Sequence, residues 1–102
     1  MFFSINNKIL NADKIVCISE IITNKSKSEI SFNIYFEGGF IFNVISQYDS
    51  FNDTSLQYGT NLIIQLRSSI LLLWQGFTHG LPSYIYKDAV YEFTHNNLIT
   101  TP

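Results

Sequence analysis

Residues 31 to 46 read SFNIYFEGGFIFNVIS, with four phenylalanines, one tyrosine and four β-branched aliphatics around a glycine pair. Aromatic and β-branched residues favour a pleated, half-buried strand, and adjacent glycines favour a reversal of the chain, so the stretch predicts a hairpin. Its register is decided by the faces it creates. A two-residue loop at Gly38-Gly39 sets Ile34 opposite Asn43 and Glu37 opposite Phe40, which mixes polar and apolar residues on both faces. A three-residue loop, Glu37-Gly38-Gly39, pairs Phe36 with Phe40, Ile34 with Phe42 and Phe32 with Val44 on one face. The other face then pairs Tyr35 with Ile41, Asn33 with Asn43 and Ser31 with Ile45. Side chains alternate with period two, so the three-residue loop gives one uniformly apolar face and one mixed face. Gly39 can take the left-handed conformation that ends such a loop. The phenylalanine face is a core face.

The neighbouring segments extend this ribbon. DKIVCISEII reads as a strand with Ile15 and Cys17 on one side, and Cys17 among aliphatics reads as a small buried hydrophobe. The polar cluster TNKSKSE is a turn that joins this strand to residues 29 to 36. FFSI and KIL flank Asn6-Asn7, and asparagine tolerates the left-handed region, so a short hairpin is expected there too. An antiparallel meander of four to six strands over residues 1–46 follows.

Residues 47–60, QYDSFNDTSLQYGT, are rich in Ser, Asp, Asn and Thr and read as a linker, with a helical turn begun by Asp53 or Thr54. The main helix is expected over residues 61–75, with Thr60 or Asn61 as N-cap and Gly76 as terminator. Leu62, Leu66, Ile70, Leu73, Trp74 and Phe77 recur at helical spacing as one stripe. Ile63, Ile64, Leu71 and Leu72 widen it until much of the circumference is apolar, the pattern of a helix covered on two sides or offered to another chain. Residues 84–93 are richer in aromatic and β-branched types than in helix formers and read as a C-terminal strand, although Ile85, Ala89, Val90 and Phe93 also suit a helix. The tail THNNLITTP should fray unless something holds it. The fold class expected is α+β, a single domain of 102 residues with one main helix packed on the meander.

Charge and composition narrow the functions. A formal net charge of −2 offers no basic stripe with which to displace counterions from nucleic acid. Residues 28 to 66 contain Glu29, Glu37, Asp49 and Asp53 and no lysine or arginine, which suits a partner with a basic surface. One cysteine excludes an internal disulfide framework. The start, MFFSINNK, lacks the pattern of a signal peptide, and the most apolar window is interrupted by Arg67, so a cytoplasmic protein with no membrane span is expected.

Chemistry-bearing constellations are sparse. His79 lies in a glycine-flanked loop and is the leading general-base candidate. Asp88, Glu92 and His95 would share one face if residues 86 to 97 were helical, which is the one arrangement suited to a metal. No nucleophile elbow, zinc-protease, phosphate-loop or dinucleotide motif occurs in the sequence. The reading is therefore non-catalytic, with no cofactor and no metal. Tyrosine offers a large contact area with a polar tip at little entropic cost. Tyr58, Tyr84 and Tyr86 are accordingly the expected anchors of a protein interface, with Glu37, Asp49 and Asp53 steering.

NADKIVCISEI, followed by a polar turn and FNIYFEGGFIFNV, resembles the openings of small bacterial and phage proteins of unknown role in which a strand hairpin leads into a helix. The resemblance spans roughly residues 7 to 75; this chain adds the Ser/Asp/Asn-rich linker and a C-terminal segment, and no functional residue is carried over. The expected function is inhibition of another protein by occlusion, as a toxin-neutralising immunity protein or a phage anti-defence protein would act. The alternative is a structural subunit that buries the helix stripe in a homo-oligomer.

Overall fold

The computed structural model describes residues 1–49, 53–76, 86–87, 90–95 and 98–101. The central hairpin is formed by β5 (Glu29–Phe36) and β6 (Ile41–Gln47). Phe32 lies opposite Val44, Asn33 opposite Asn43, Ile34 opposite Phe42 and Tyr35 opposite Ile41, as the three-residue loop requires. Phe36 N donates to Phe40 O at 2.8 Å to close it. Gly39 sits at φ +82°, and a Cβ there would meet nothing within 4 Å. Backbone strain alone therefore sets the cost of a side chain. Gly39→Ala is expected to lose about 1–2 kcal/mol in urea unfolding and Gly39→Asn less, because asparagine tolerates this region.

Strands β3 (Ile15–Ile18) and β4 (Ile22–Asn24) run in turn along β5, with the expected polar turn leading from β4 into β5. Between them Ser19 takes over the ladder: Ser19 N donates to Asn33 O at 2.9 Å, and Asn33 N donates to Ser19 Oγ at 2.8 Å. Arg67 Nε, from the helix, donates to Ser19 O at 2.7 Å. The register of β3 shifts between Ile15 and Cys17, a bulge in which two residues oppose one. That extra residue turns Cys17 outward, so the thiol expected to be buried is exposed.

The first hairpin, β1 (Phe2–Ile5) and β2 (Lys8–Asn11), turns on Asn6 at φ +48° and Asn7 at φ +71°. It joins a separate four-stranded sheet, ordered β2-β1-β8-β7, in which β8 (Val90–Phe93) runs parallel to β1 and β7 (Tyr86–Lys87) antiparallel to β8. Residues 84–93, expected as one strand, thus supply two. The tail is held: β9 (Leu98–Thr101) pairs antiparallel with β6 and completes a five-stranded sheet ordered β3-β5-β6-β9, with β4 beside β5. The fold class is α+β.

Helix α1 runs Asp53–Trp74, eight residues earlier than expected, so most of the anticipated linker 47–60 is strand end and first helical turns. Thr60 is inside it, and its Oγ1 donates to Leu56 O at 2.8 Å rather than capping a helix start. Gly76, at φ +84°, ends it as expected, with its N–H donating to Leu73 O at 3.0 Å. Gly59 marks where the helix crosses β6 closely: a Cβ there would lie 3.1 Å from Ser46 Oγ.

One core joins both sheets and the helix. Phe3, Ile5 and Leu10 come from the first sheet; Ile30, Phe32, Ile34, Phe42 and Val44 from the second; Ile63, Leu66, Ile70 and Leu73 from α1. The helix stripe is centred on Ile63 rather than Leu62, which is half-buried, while Trp74 and Ile64 are exposed. Phe77 lies outside the described residues.

Candidate functional site

Because the inner face of the five-stranded sheet is committed to the core, its alternate residues point the other way. The pairings place them in three adjoining rows: Cys17, Tyr35 and Ile41; Asn33, Asn43 and Thr101; Ile22, Ser31, Ile45 and Ile99. No described element packs over these rows. Ile22 and Ile41 are each 45% exposed and Ile99 is 40% exposed. A fourth row, Asn24, Glu29 and Gln47, carries the only charged side chain of this face among the described residues. A shallow concavity lies at one end, lined by Asn33, Gly39, Phe40, Ile41, Asn43 and Thr101.

Asparagine is disfavoured mid-strand, yet two stand opposite each other at the centre of this face. Asn33 Oδ1 and Asn43 Oδ1 are both shut off from solvent and accept no hydrogen bond. Each orphaned acceptor costs about 1–3 kcal/mol. The terminal amide torsion is broad, so rotation of either amide can turn its oxygen toward a donor that approaches the face. Buried polar groups without partners are rare. A contact that supplies donors here is favoured, and the rim of isoleucines gains by being covered. The Asn33–Asn43 pairing is readable in the sequence as part of a mixed face; what singles it out is two asparagines directly opposed within an otherwise apolar ribbon.

The anticipated contact residues that are described lie on different elements. Glu37 is at the hairpin tip, where its Oε2 lies 3.5 Å from Lys14 Nζ with both side chains exposed. Asp49 follows the opposite end of β6, roughly 25 Å away at the rise of a strand. There its N–H donates to Ser55 Oγ at 3.0 Å. Asp53 is the first residue of α1. Glu37 and Asp49 therefore do not form one patch. Tyr86 is in β7 at the edge of the other sheet; Tyr84 and His79 lie outside the described residues.

Tyr58 is 52% exposed on α1, and its hydroxyl stands 2.7 Å from His95 Nε2. The main chain of His95 is the splice between β8 and β9. His95 N donates to Asn6 Oδ1 at 3.1 Å, Leu98 N donates to His95 O at 3.1 Å, and Asn6 Nδ2 donates to Leu98 O at 2.8 Å. Residues 90–93 form a strand, so Glu92 and His95 are not on a helical face with Asp88, itself outside the described residues. Among the described residues no three His, Cys, Asp or Glu side chains are placed to hold a metal ion. Beside Tyr58 and His95, a groove of about 590 Å³ runs between α1 and β8, with Leu62, Leu66, Phe93 and Leu98 along it and Glu92 and His95 on its margin. The main-chain hydrogen bonds of His95 fasten strands, while its ring meets Tyr58 of the helix at the groove's margin.

No helix among the described residues is long and apolar enough to cross a membrane. Compared with protein-family models, with curated proteins and with solved structures, the chain matches none of them.

Proposed function

We propose that this chain is a non-catalytic inhibitor that binds another protein and occludes it, as toxin-neutralising immunity proteins and phage anti-defence proteins do. Its contact surface is the outer face of the five-stranded sheet. The observation that supports this reading is the pair of solvent-shielded acceptors, Asn33 Oδ1 and Asn43 Oδ1, at the centre of an isoleucine-rimmed face that no described element covers. Rigid strands hold the face, so little ordering cost is added on binding. The formal charge of −2 steers a basic partner toward the molecule over long range, while the amides and isoleucines make the contact.

Asn43→Arg tests this directly. An arginine at the centre of the face is harmless in the free protein, where it reaches water, but it places an unpaired charge inside any dry contact. Immobilised wild-type protein is expected to retain a partner from lysate of the source cell. The variant is expected to lose it by at least about tenfold, with Tm within a few degrees of wild type. Ile9→Arg, on an exposed position of the other sheet, is the matched control and should retain the partner. Equal capture by wild type and Asn43→Arg would refute the assignment.

A further inference from the structure

We infer that, before it meets its target, the protein covers this same face with a second copy of itself, packed sheet on sheet about a two-fold axis near Asn33 and Asn43. The inference rests on the contact surface proposed above and names what occupies it in the free state.

Three features favour a second copy over any other occupant. A two-fold axis brings every residue against the same surface, so a face with strong charges would repel itself. In the three central rows there is no charged side chain, and Glu29 stands in the outermost row, away from the Asn33–Asn43 axis. Glu20 and the Lys14–Glu37 pair lie off the rows altogether. Secondly, an amide is both donor and acceptor. Asn33 and Asn43 of one copy can give their N–H groups to the orphaned oxygens of the other and receive the same in return, a match that a merely apolar partner does not offer. Thirdly, the size is right for a store that releases. Four strands about 4.8 Å apart and the three uncharged rows of side chains cover roughly 400 Å² per copy, below the roughly 800 Å² per partner of a stable interface. The self-contact is therefore weak and yields to a tighter partner. Ile22, Ile41, Ile45 and Ile99 interdigitate across it, at the spacing of roughly 10 Å usual between packed sheets.

The chain carries its own reporter. Cys17 is its single cysteine, exposed at one end of the first row beside Tyr35. Two measurements on purified wild type, Asn43→Arg and Ile9→Arg test the inference: sedimentation velocity from about 1 µM to about 500 µM, and the rate of Cys17 alkylation by iodoacetamide across the same range. Wild type and Ile9→Arg are expected to rise from 11.7 kDa toward twice that mass. Their alkylation rates should fall at least about threefold with concentration. Asn43→Arg should stay monomeric with a constant rate. A wild type that remains monomeric throughout, or an Asn43→Arg that associates like wild type, overturns the inference. The two readings fail separately. A monomeric wild type whose Asn43→Arg variant still loses the target removes only the self-contact. An Asn43→Arg that is monomeric yet keeps the target removes only the target surface.

Discussion

Phe32→Ala is expected to lower the free energy of unfolding by about 4 kcal/mol and Tm by roughly 15–30 °C. Phe32 is fully buried, opposite Val44 on the inner face of the hairpin. Truncation there removes a whole ring from contact and leaves a cavity that two flanking strands, fixed by their ladders, cannot close. For a domain of this size the loss approaches the whole margin of stability. The informative comparison is Phe40→Ala. Phe40 is exposed at the loop end, its ring tilted against Phe36 at 5.6 Å and against Phe42 at 6.4 Å between ring centroids. Its loss should cost less than about 1.5 kcal/mol. Urea unfolding followed by circular dichroism ranks the two. If Phe40→Ala proved the more damaging, the register of the hairpin would be wrong, because a slip of one residue exchanges the faces.

Asn6→Ala should cost about 3 kcal/mol, for two separable reasons. Its φ of +48° strains any residue with a Cβ that lacks asparagine's local polar compensation. Its amide also holds both ends of the β8–β9 connection, accepting from His95 N and donating to Leu98 O. Asn6→Gly relieves the first cost and keeps the second. In that variant hydrogen-exchange protection is expected to fall selectively at Leu98–Thr101, with the amides between β5 and β6 unchanged. Protection lost evenly across the chain would mean that Asn6 shapes only its own turn. Asn6→Asp keeps the acceptor for His95 N but sets a carboxylate against Leu98 O, so it should resemble Asn6→Gly at β9 and be less stable overall.

How much of this was legible depended on how far apart the interacting residues lie. The register of the Phe32–Val44 hairpin could be deduced because only one loop length sorts its own side chains into consistent faces. The Asn6-Asn7 turn and the Gly76 stop were readable for a similar reason: each is a local conformational demand met by a residue suited to it. The start of α1 was readable only in part: a helical turn begun by Asp53 or Thr54 was expected, but inside a linker, with the main helix from residue 61. Residues 53–60 are polar and contain Gly59, which reads as a loop, and the reason for that glycine is Ser46 on a distant strand. Cys17 was assigned to the wrong side because one bulged residue reverses the alternation after Ile15. The C-terminal segments posed a harder problem. Leu98–Thr101 is an ordinary polar tail until β6 supplies its ladder, and nothing local to Val90–Phe93 indicates a parallel neighbour at the other end of the sequence. The contact surface was half visible. Asn33 and Asn43 could be placed opposite each other on paper, but that neither oxygen finds a donor is a property of the packed sheet. The tyrosines and acids drew attention by type, and the fold places Glu37, Asp49 and Tyr58 on separate elements.

The parallel pairing of β1 with β8 constrains when the protein can mature. Asn6 and Leu98, clasped in the folded state, are 92 positions apart. The β5–β6 ribbon can zip as soon as it leaves the ribosome, but β1 must wait, one edge unpaired, until β8 has been synthesised as well. Pairing of β1 is thus limited by the search for a distant partner, which places such topologies among slower folders and keeps a nascent edge available to chaperones. Separating the two ends onto different fragments should leave a hairpin that forms readily and a sheet that does not.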